Sequence, residues 1–148
     1  MNEMTSQNIH ATSIKIKDTG CLIRGPSGSG KSLLALELLN HFGESAALIS
    51  DDQTTLTLQD NQLIASCPPP LIGKIELYGR GIIEWPRIEQ CPIEMVIDLV
   101  DTRERMPDEA EFTCEIMDRQ LRRVPVPNHR LTDLSHQRML VEAGLFYK

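Results

Sequence analysis

The residues best suited to chemistry stand in one short run, Gly25-Pro26-Ser27-Gly28-Ser29-Gly30-Lys31-Ser32, with the spacing G-x-x-x-x-G-K-S. Glycines at these positions let successive backbone amides turn inward as an anion-binding nest, and a helix starting at Lys31 adds the partial positive charge of its N-terminus. On this reading Lys31 reaches the β- and γ-phosphates of a nucleoside triphosphate, and the Ser32 hydroxyl ligates magnesium. The expected chemistry is phosphoryl transfer from ATP in the presence of Mg2+.

Such a transfer needs carboxylates near the γ-phosphate, presented at the end of a buried strand beside the loop. Two segments offer them: Leu48-Ile49-Ser50-Asp51-Asp52 and Val96-Ile97-Asp98. The first is preferred, because neighbouring acids can divide metal binding from proton transfer and their repulsion tends to raise one pKa. Asp98 reads more simply as an ordinary acidic turn.

The elements that must hold these groups are legible as a strand-rich pattern with two main helices. Thr12 to Lys17 alternates polar and apolar residues, Asp18-Thr19-Gly20 reads as a turn, and Cys21-Leu22-Ile23 runs directly into the glycine-rich loop. Leu33, Leu34, Leu36, Leu38 and Leu39 follow at helical spacing, with Gly43 as a stop. Strands are expected over Ala46 to Ser50, Thr54 to Gln59, Gln62 to Ser66, Ile75 to Leu77, Ile82-Ile83 and Met95 to Val100. Phe112 to Met117 and Leu121 to Val126 read as edge strands, the second interrupted by Pro125. A second helix is expected over Leu131 to Ala143, with Gly144 ending it. Together these predict an α/β fold: a P-loop-containing, mixed, twisted sheet whose loop-bearing strand is followed by a helix, with additional antiparallel strands. Residues 1–148 are expected to form one domain.

Charge and composition narrow the partners. A formal net charge of −6 argues against a broad nucleic-acid surface. No apolar run approaches the roughly 20 residues needed to cross a bilayer, so neither a membrane nor a nucleic acid is expected as partner and the cytoplasm is the expected location. Cys21, Cys67, Cys91 and Cys114 form no CxxC pair and read as reduced thiols. Arg80, Arg122, Arg123 and Arg130 are the cations available to dock an acidic or phosphorylated partner.

At this point the residues resemble the catalytic domain of HPr kinase/phosphorylase, the bacterial enzyme acting on a serine of the phosphocarrier protein HPr. His10 precedes the first strand, GPSGSGKS and Ser50-Asp51-Asp52 follow, and Gly73-Lys74-Ile75-Glu76-Leu77-Tyr78-Gly79-Arg80-Gly81-Ile82-Ile83 is similar to the family's signature segment. Val124-Pro125-Val126-Pro127-Asn128-His129-Arg130 is similar to its late proline-containing strand and basic loop. The resemblance implies Asp51 as the base that takes the serine proton, Asp52 and Glu76 as residues that help Ser32 hold the metal, and His10 near the phosphates. With it, His10 and Arg130 join Lys31 and Asp51 as the expected catalytic residues. It also implies the short, single-domain form, a nucleoside triphosphate and an HPr-like phosphocarrier as substrates, removal of the same phosphate as a companion activity, and a homo-oligomer. Tyr78 stands where the family commonly has arginine.

Two readings of other classes compete. A small-molecule P-loop kinase shares the loop, but carries an arginine-rich lid and mostly helical additions that the strands after Asp52 do not match. A non-catalytic nucleotide-sensing module would keep the loop without turnover, against which Lys31, Ser32, Asp51, Asp52 and Glu76 stand together. A signalling GTPase lacks support, since no Asn-Lys-x-Asp element is present.

Overall fold

The structure, a computed structural model, describes residues 5–147. Its first strands are β1 (Thr5–Ile9), β2 (Ala11–Ile16) and β3 (Thr19–Arg24), followed by helix α1 (Lys31–Phe42). Next come β4 (Ala46–Ser50), β5 (Thr54–Gln59), β6 (Gln62–Ser66), β7 (Lys74–Leu77) and β8 (Gly81–Glu84). The chain ends with β9 (Gln90–Val100), β10 (Thr113–Ile116), β11 (Arg119–Pro127) and helix α2 (Leu134–Phe146).

The strands build a curled mixed sheet whose path runs β1-β5-β6-β9-β3-β2-β4, with β11 also paired to β9 and β10 to β11. The pivot is β9. Its first residues pair antiparallel with β6, whereas Met95 to Asp98 runs parallel to β3 on one side and Met95 to Val100 runs parallel to β11 on the other. Since β2 is antiparallel to both β3 and β4, the strands β3, β4, β9 and β11 all point the same way. Their C-terminal ends therefore share one edge, where ligands of open α/β sheets gather.

Alternation along the strands splits the interior in two. Ile14, Ile16, Cys21, Ile23, Met95 and Ile97 face α1 and α2, together with Leu34, Leu38 and Leu39 of α1. Leu22, Ile49, Leu56, Ala65 and Ile93 point to the opposite face, which the β1-β5-β6 layer covers. Period-two burial thus sends adjacent residues of β3 to different cores. Cys21 is fully enclosed; burial, and secondarily the neighbouring Cys91, push its thiol up to about 12, so it is inert as a nucleophile. All four cysteines are free. No helix among the described residues is long and apolar enough to cross a membrane.

Several elements depart from the sequence expectations. The tight turn before β3 is made by Lys17 and Asp18, so Thr19 and Gly20 already belong to the strand. A strand over Thr5–Ile9 arises from a segment without apolar alternation, because it borrows its order from antiparallel pairing with β5. Phe112 closes a short 3-10 turn, and the strand starts at Thr113. The later strand is an edge from Arg123 to Pro127, where only β9 pairs with it and Pro125 is accommodated; β10 covers its other side only over Arg119 to Arg122. Helix α2 runs through Gly144 to Phe146, and the glycine serves close packing instead of termination. A Cβ there would lie 2.3 Å from Val124 Cγ2.

Candidate functional site

The 25–32 loop joins the C-terminal end of β3 to α1. Gly30, with φ 95°, occupies the N-cap position, and no side chain caps the helix. The first amides of α1 are therefore left without intrahelical acceptors, as an anion site requires. Left-handed dihedrals at Gly28 (φ 80°) and Gly30 bend the loop, and a Cβ on Gly30 would press to 3.1 Å from the His129 ring. Ser29 N donates to Pro26 O at 3.1 Å, and the buried Ser29 Oγ has no hydrogen-bond partner.

Lys31 is largely buried, its Nζ donating to Gly25 O at 2.9 Å and Pro26 O at 3.2 Å. Burial holds its ammonium below the usual lysine range, while the charges of Asp52 and Asp51 act in the opposite sense. The cation is thus aimed across its own loop and feels both acids.

Those acids follow β4, and Asp51 is the centre of the site. Ser32 Oγ donates to Asp51 Oδ1 at 2.6 Å, Thr12 Oγ1 donates to the same oxygen at 2.9 Å, and the Glu76 amide donates to Oδ2 at 3.0 Å. Each carboxylate oxygen offers about two lone-pair sites, so Oδ1 is filled while Oδ2 keeps one free. Asp51 is only 8% exposed, and all its partners are uncharged. Asp52 is placed differently: it turns into the left-handed region (φ 66°), a conformation Asp tolerates better than most residues, and its side chain is 59% exposed. His10, on the bend between β1 and β2, meets Asp52 Oδ1 through Nε2 at 2.6 Å. Thr12 Oγ1 also accepts the Asp52 amide at 3.1 Å, so one hydroxyl positions both acids.

Glu76 reaches the site through its backbone. Its side chain lies on the exposed face of the β7–β8 hairpin, and Ile75 on the other face packs into the helix-side core. Beyond it, Tyr78 is 89% exposed and Arg80 sits in the same turn, its amide donating to Leu77 O.

The end of β11 closes the site from the opposite side. His129 Nε2 is 2.8 Å from Gly28 O, Asn128 N donates to Val100 O, and the Asn128 side chain bridges Asp101 to the Arg130 amide. This brings the Arg130 backbone near the loop, while its exposed side chain makes no ion pair among the described residues. Sequence reasoning missed His129 and Thr12. The first lay inside a segment already singled out, but Thr12 gave no signal beyond being a polar residue in a strand.

Asp98 belongs to another arrangement. Arg24 Nε and Nη2 grip its two oxygens at 2.8 Å each, and Arg123 Nε donates to Oδ2 at 2.6 Å. Partial burial pushes this carboxyl up, but the hydrogen bonds and charges of Arg24 and Arg123 outweigh it and hold it below the usual carboxylate range. The pairing withdraws Arg123 from the expected docking rim. Arg122 is diverted too, since it donates to Gly144 O at 2.8 Å at the β11–α2 contact.

Magnesium prefers oxygen donors and is commonly held by one or two carboxylates together with phosphates and water. The Ser32 hydroxyl beside the Asp51 carboxylate, with Asp52 adjacent, is a donor set of that kind; no group of three or more His, Cys, Asp or Glu suited to a metal occurs among the described residues.

Comparison with known proteins matches this architecture. The family model for the HPr Serine kinase C-terminal domain covers residues 2–143, and the chain belongs to that family. It is 35% identical over 109 residues to the HPr kinase/phosphorylase of Mycoplasma mycoides subsp. mycoides, covering 69% of this chain and 34% of that protein. To the HPr kinase/phosphorylase of Lacticaseibacillus casei it is 38% identical over 79 residues, covering 53% of this chain and 24% of that one. The chain thus matches about a third or less of the length of these relatives. The solved Hpr(Ser) kinase/phosphatase from Coxiella burnetii superposes with a TM-score of 0.75 at 31% identity, covering 94% of this chain and 88% of that one.

Proposed function

We propose that this chain, acting as one catalytic domain, is an ATP- and Mg2+-dependent kinase that phosphorylates a serine of an HPr-like phosphocarrier protein, and that it also removes that phosphate. The observation that carries the reading is the direct 2.6 Å contact of Ser32 with Asp51 at the edge where β3 and β4 end, beside the uncapped N-terminus of α1.

On this reading the amides of residues 25–32 and Lys31 bind and orient the triphosphate. Magnesium, when bound, would neutralise phosphate charge, with Ser32 and Asp52 as the residues that would hold it, while Glu76, expected among them, lends its amide to Asp51 instead. Asp51 accepts the serine proton on Oδ2, whose free lone pair is the one Oδ1 lacks. Thr12 and the Glu76 amide fix that carboxylate, so little reorientation is needed at the moment of transfer. His10 orients Asp52, and Arg130, exposed on the β11 side, meets the phosphocarrier as it approaches the site.

Label transfer tests the reading. Incubation with γ-labelled ATP, Mg2+ and a purified HPr is expected to give labelled phosphoserine on HPr; label that remains in ATP, with HPr unmodified, contradicts it.

A further inference from the structure

A second concavity lies apart from the phosphate loop: its lining includes neither residues 25–32 nor Asp51 and Asp52. This groove of about 1000 Å³ runs between the 101–112 segment, β11 and α2. Phe112, Val124 and Leu140 make its walls apolar, while Arg103, Arg105 and Arg122 stand on its borders. Four arginines face two glutamates there, in a chain whose formal net charge is −6. Arg103 and Arg105 are exposed and make no hydrogen bond or ion pair among the described residues. Apolar walls with unpaired guanidinium groups at the mouth match a ligand with an apolar body and one anionic head.

Both long walls lead to the loop. Arg123, in the β11 wall, donates to Asp98, which Arg24 holds from the other side; Arg24 is the residue directly before Gly25. From the other wall, the buried Gln137 of α2 donates to Pro127 O at 2.9 Å, at the start of the segment whose His129 touches Gly28.

We propose that this groove binds a small amphipathic anion, a carboxylate on an apolar body, and that its occupancy is coupled to the affinity of the 25–32 loop for nucleotide. The binding half stands by itself; the coupling rests on the kinase reading.

The test uses the full chain, with decanoate as probe and decanol as its uncharged counterpart, followed by calorimetric titration. Decanoate is expected to bind one-to-one, at least about tenfold more tightly than decanol, because the charged head gains hydrogen bonds to arginine. Two variants at exposed positions spare the fold. Joint Arg103→Glu and Arg105→Glu should weaken decanoate about tenfold or more, and Ala143→Trp should fill the groove and block it, with thermal melts unchanged. Saturating decanoate should shift the Kd for ATP by about fivefold, with an equal reciprocal shift in decanoate affinity, and Asp98→Asn should remove the shift while decanoate still binds. Decanol binding as tightly as decanoate, or binding indifferent to Ala143→Trp, overturns the site. An unchanged Kd for ATP in the presence of bound decanoate overturns the coupling. Decanoate binding by a chain that binds no ATP supports the groove and overturns both the coupling and the kinase reading. Self-association that Ala143→Trp abolishes, with no decanoate bound, overturns the proposal and assigns the groove to a contact between copies.

Discussion

Asp51, directly after β4, and Asp98, near the end of β9, lie toward the same edge of the sheet, yet they are answered by different donors. Asp51 is met by two hydroxyls and an amide, which fix its direction and leave its charge uncancelled. Asp98 is met by two guanidinium groups that cancel it. A carboxylate of the first kind keeps its charge available to an incoming cation or proton; one of the second kind ties strands together. The neighbours, not the residue type or the strand end, separate chemistry from structure.

The largest expected break in this comparison lies on the chemical side. Lys31→Ala keeps the amide nest but removes the cation aimed at the phosphates, so ATP turnover should fall by at least about 10²-fold. Turnover within a few-fold of the parent would deny the loop its proposed role. On the structural side, Asp98→Asn leaves Arg24 and Arg123 facing each other without their acid. A loss of about 2–3 kcal/mol in urea unfolding is expected, less than for a fully buried pair because Arg24 keeps about a third of its side chain in water. The folded fraction should keep its turnover within about one decade of the parent.

Acid sharpens the same contrast. Because the Asp98 carboxyl is held below its ordinary value in the folded chain, its contribution is complete above the unfolded pKa and is lost as pH falls through the lower folded one. Parent and Asp98→Asn should therefore differ in urea midpoint by a constant amount near neutrality and converge below about pH 4. A gap that does not narrow at all as the pH falls below the ordinary carboxylate range would mean the arginines are not what stabilises this carboxylate.

The smallest effects belong to the rim. Arg80→Ala and Arg130→Ala should raise KM for the protein substrate about two- to tenfold, leave ATP affinity unchanged, and lose most of that difference at high salt, since exposed charges are screened. Equal losses toward ATP with no carrier present would move these arginines into the phosphate site.

Much of this was legible in the chain because it is local. The loop, the helix it opens and the acid pair after β4 are each a short run whose residues imply a backbone, and the signature segment marked the hairpin that supplies the Glu76 amide. What stayed hidden is set by distance along the chain. Arg24 and Arg123 lie 74 and 25 residues from Asp98, and only the β3-β9-β11 pairing brings them to it. Thr12 lies 39 residues from Asp51 and meets it because β2 and β4 are neighbours. Strand β1 has no pattern of its own to read, and Gly144 looks like a helix stop until Val124 is seen against it.

The most direct test of the central claim is the rate of phosphoserine formation on HPr per bound ATP in Asp51→Asn, with Asp98→Asn alongside at a temperature where both are folded. The account predicts that Asp51→Asn lowers that rate by about 10²-fold or more with near-parental ATP affinity, the scale of a lost general base, while Asp98→Asn stays within tenfold. Similar rates in the two variants, or a loss confined to ATP affinity in Asp51→Asn, would contradict it.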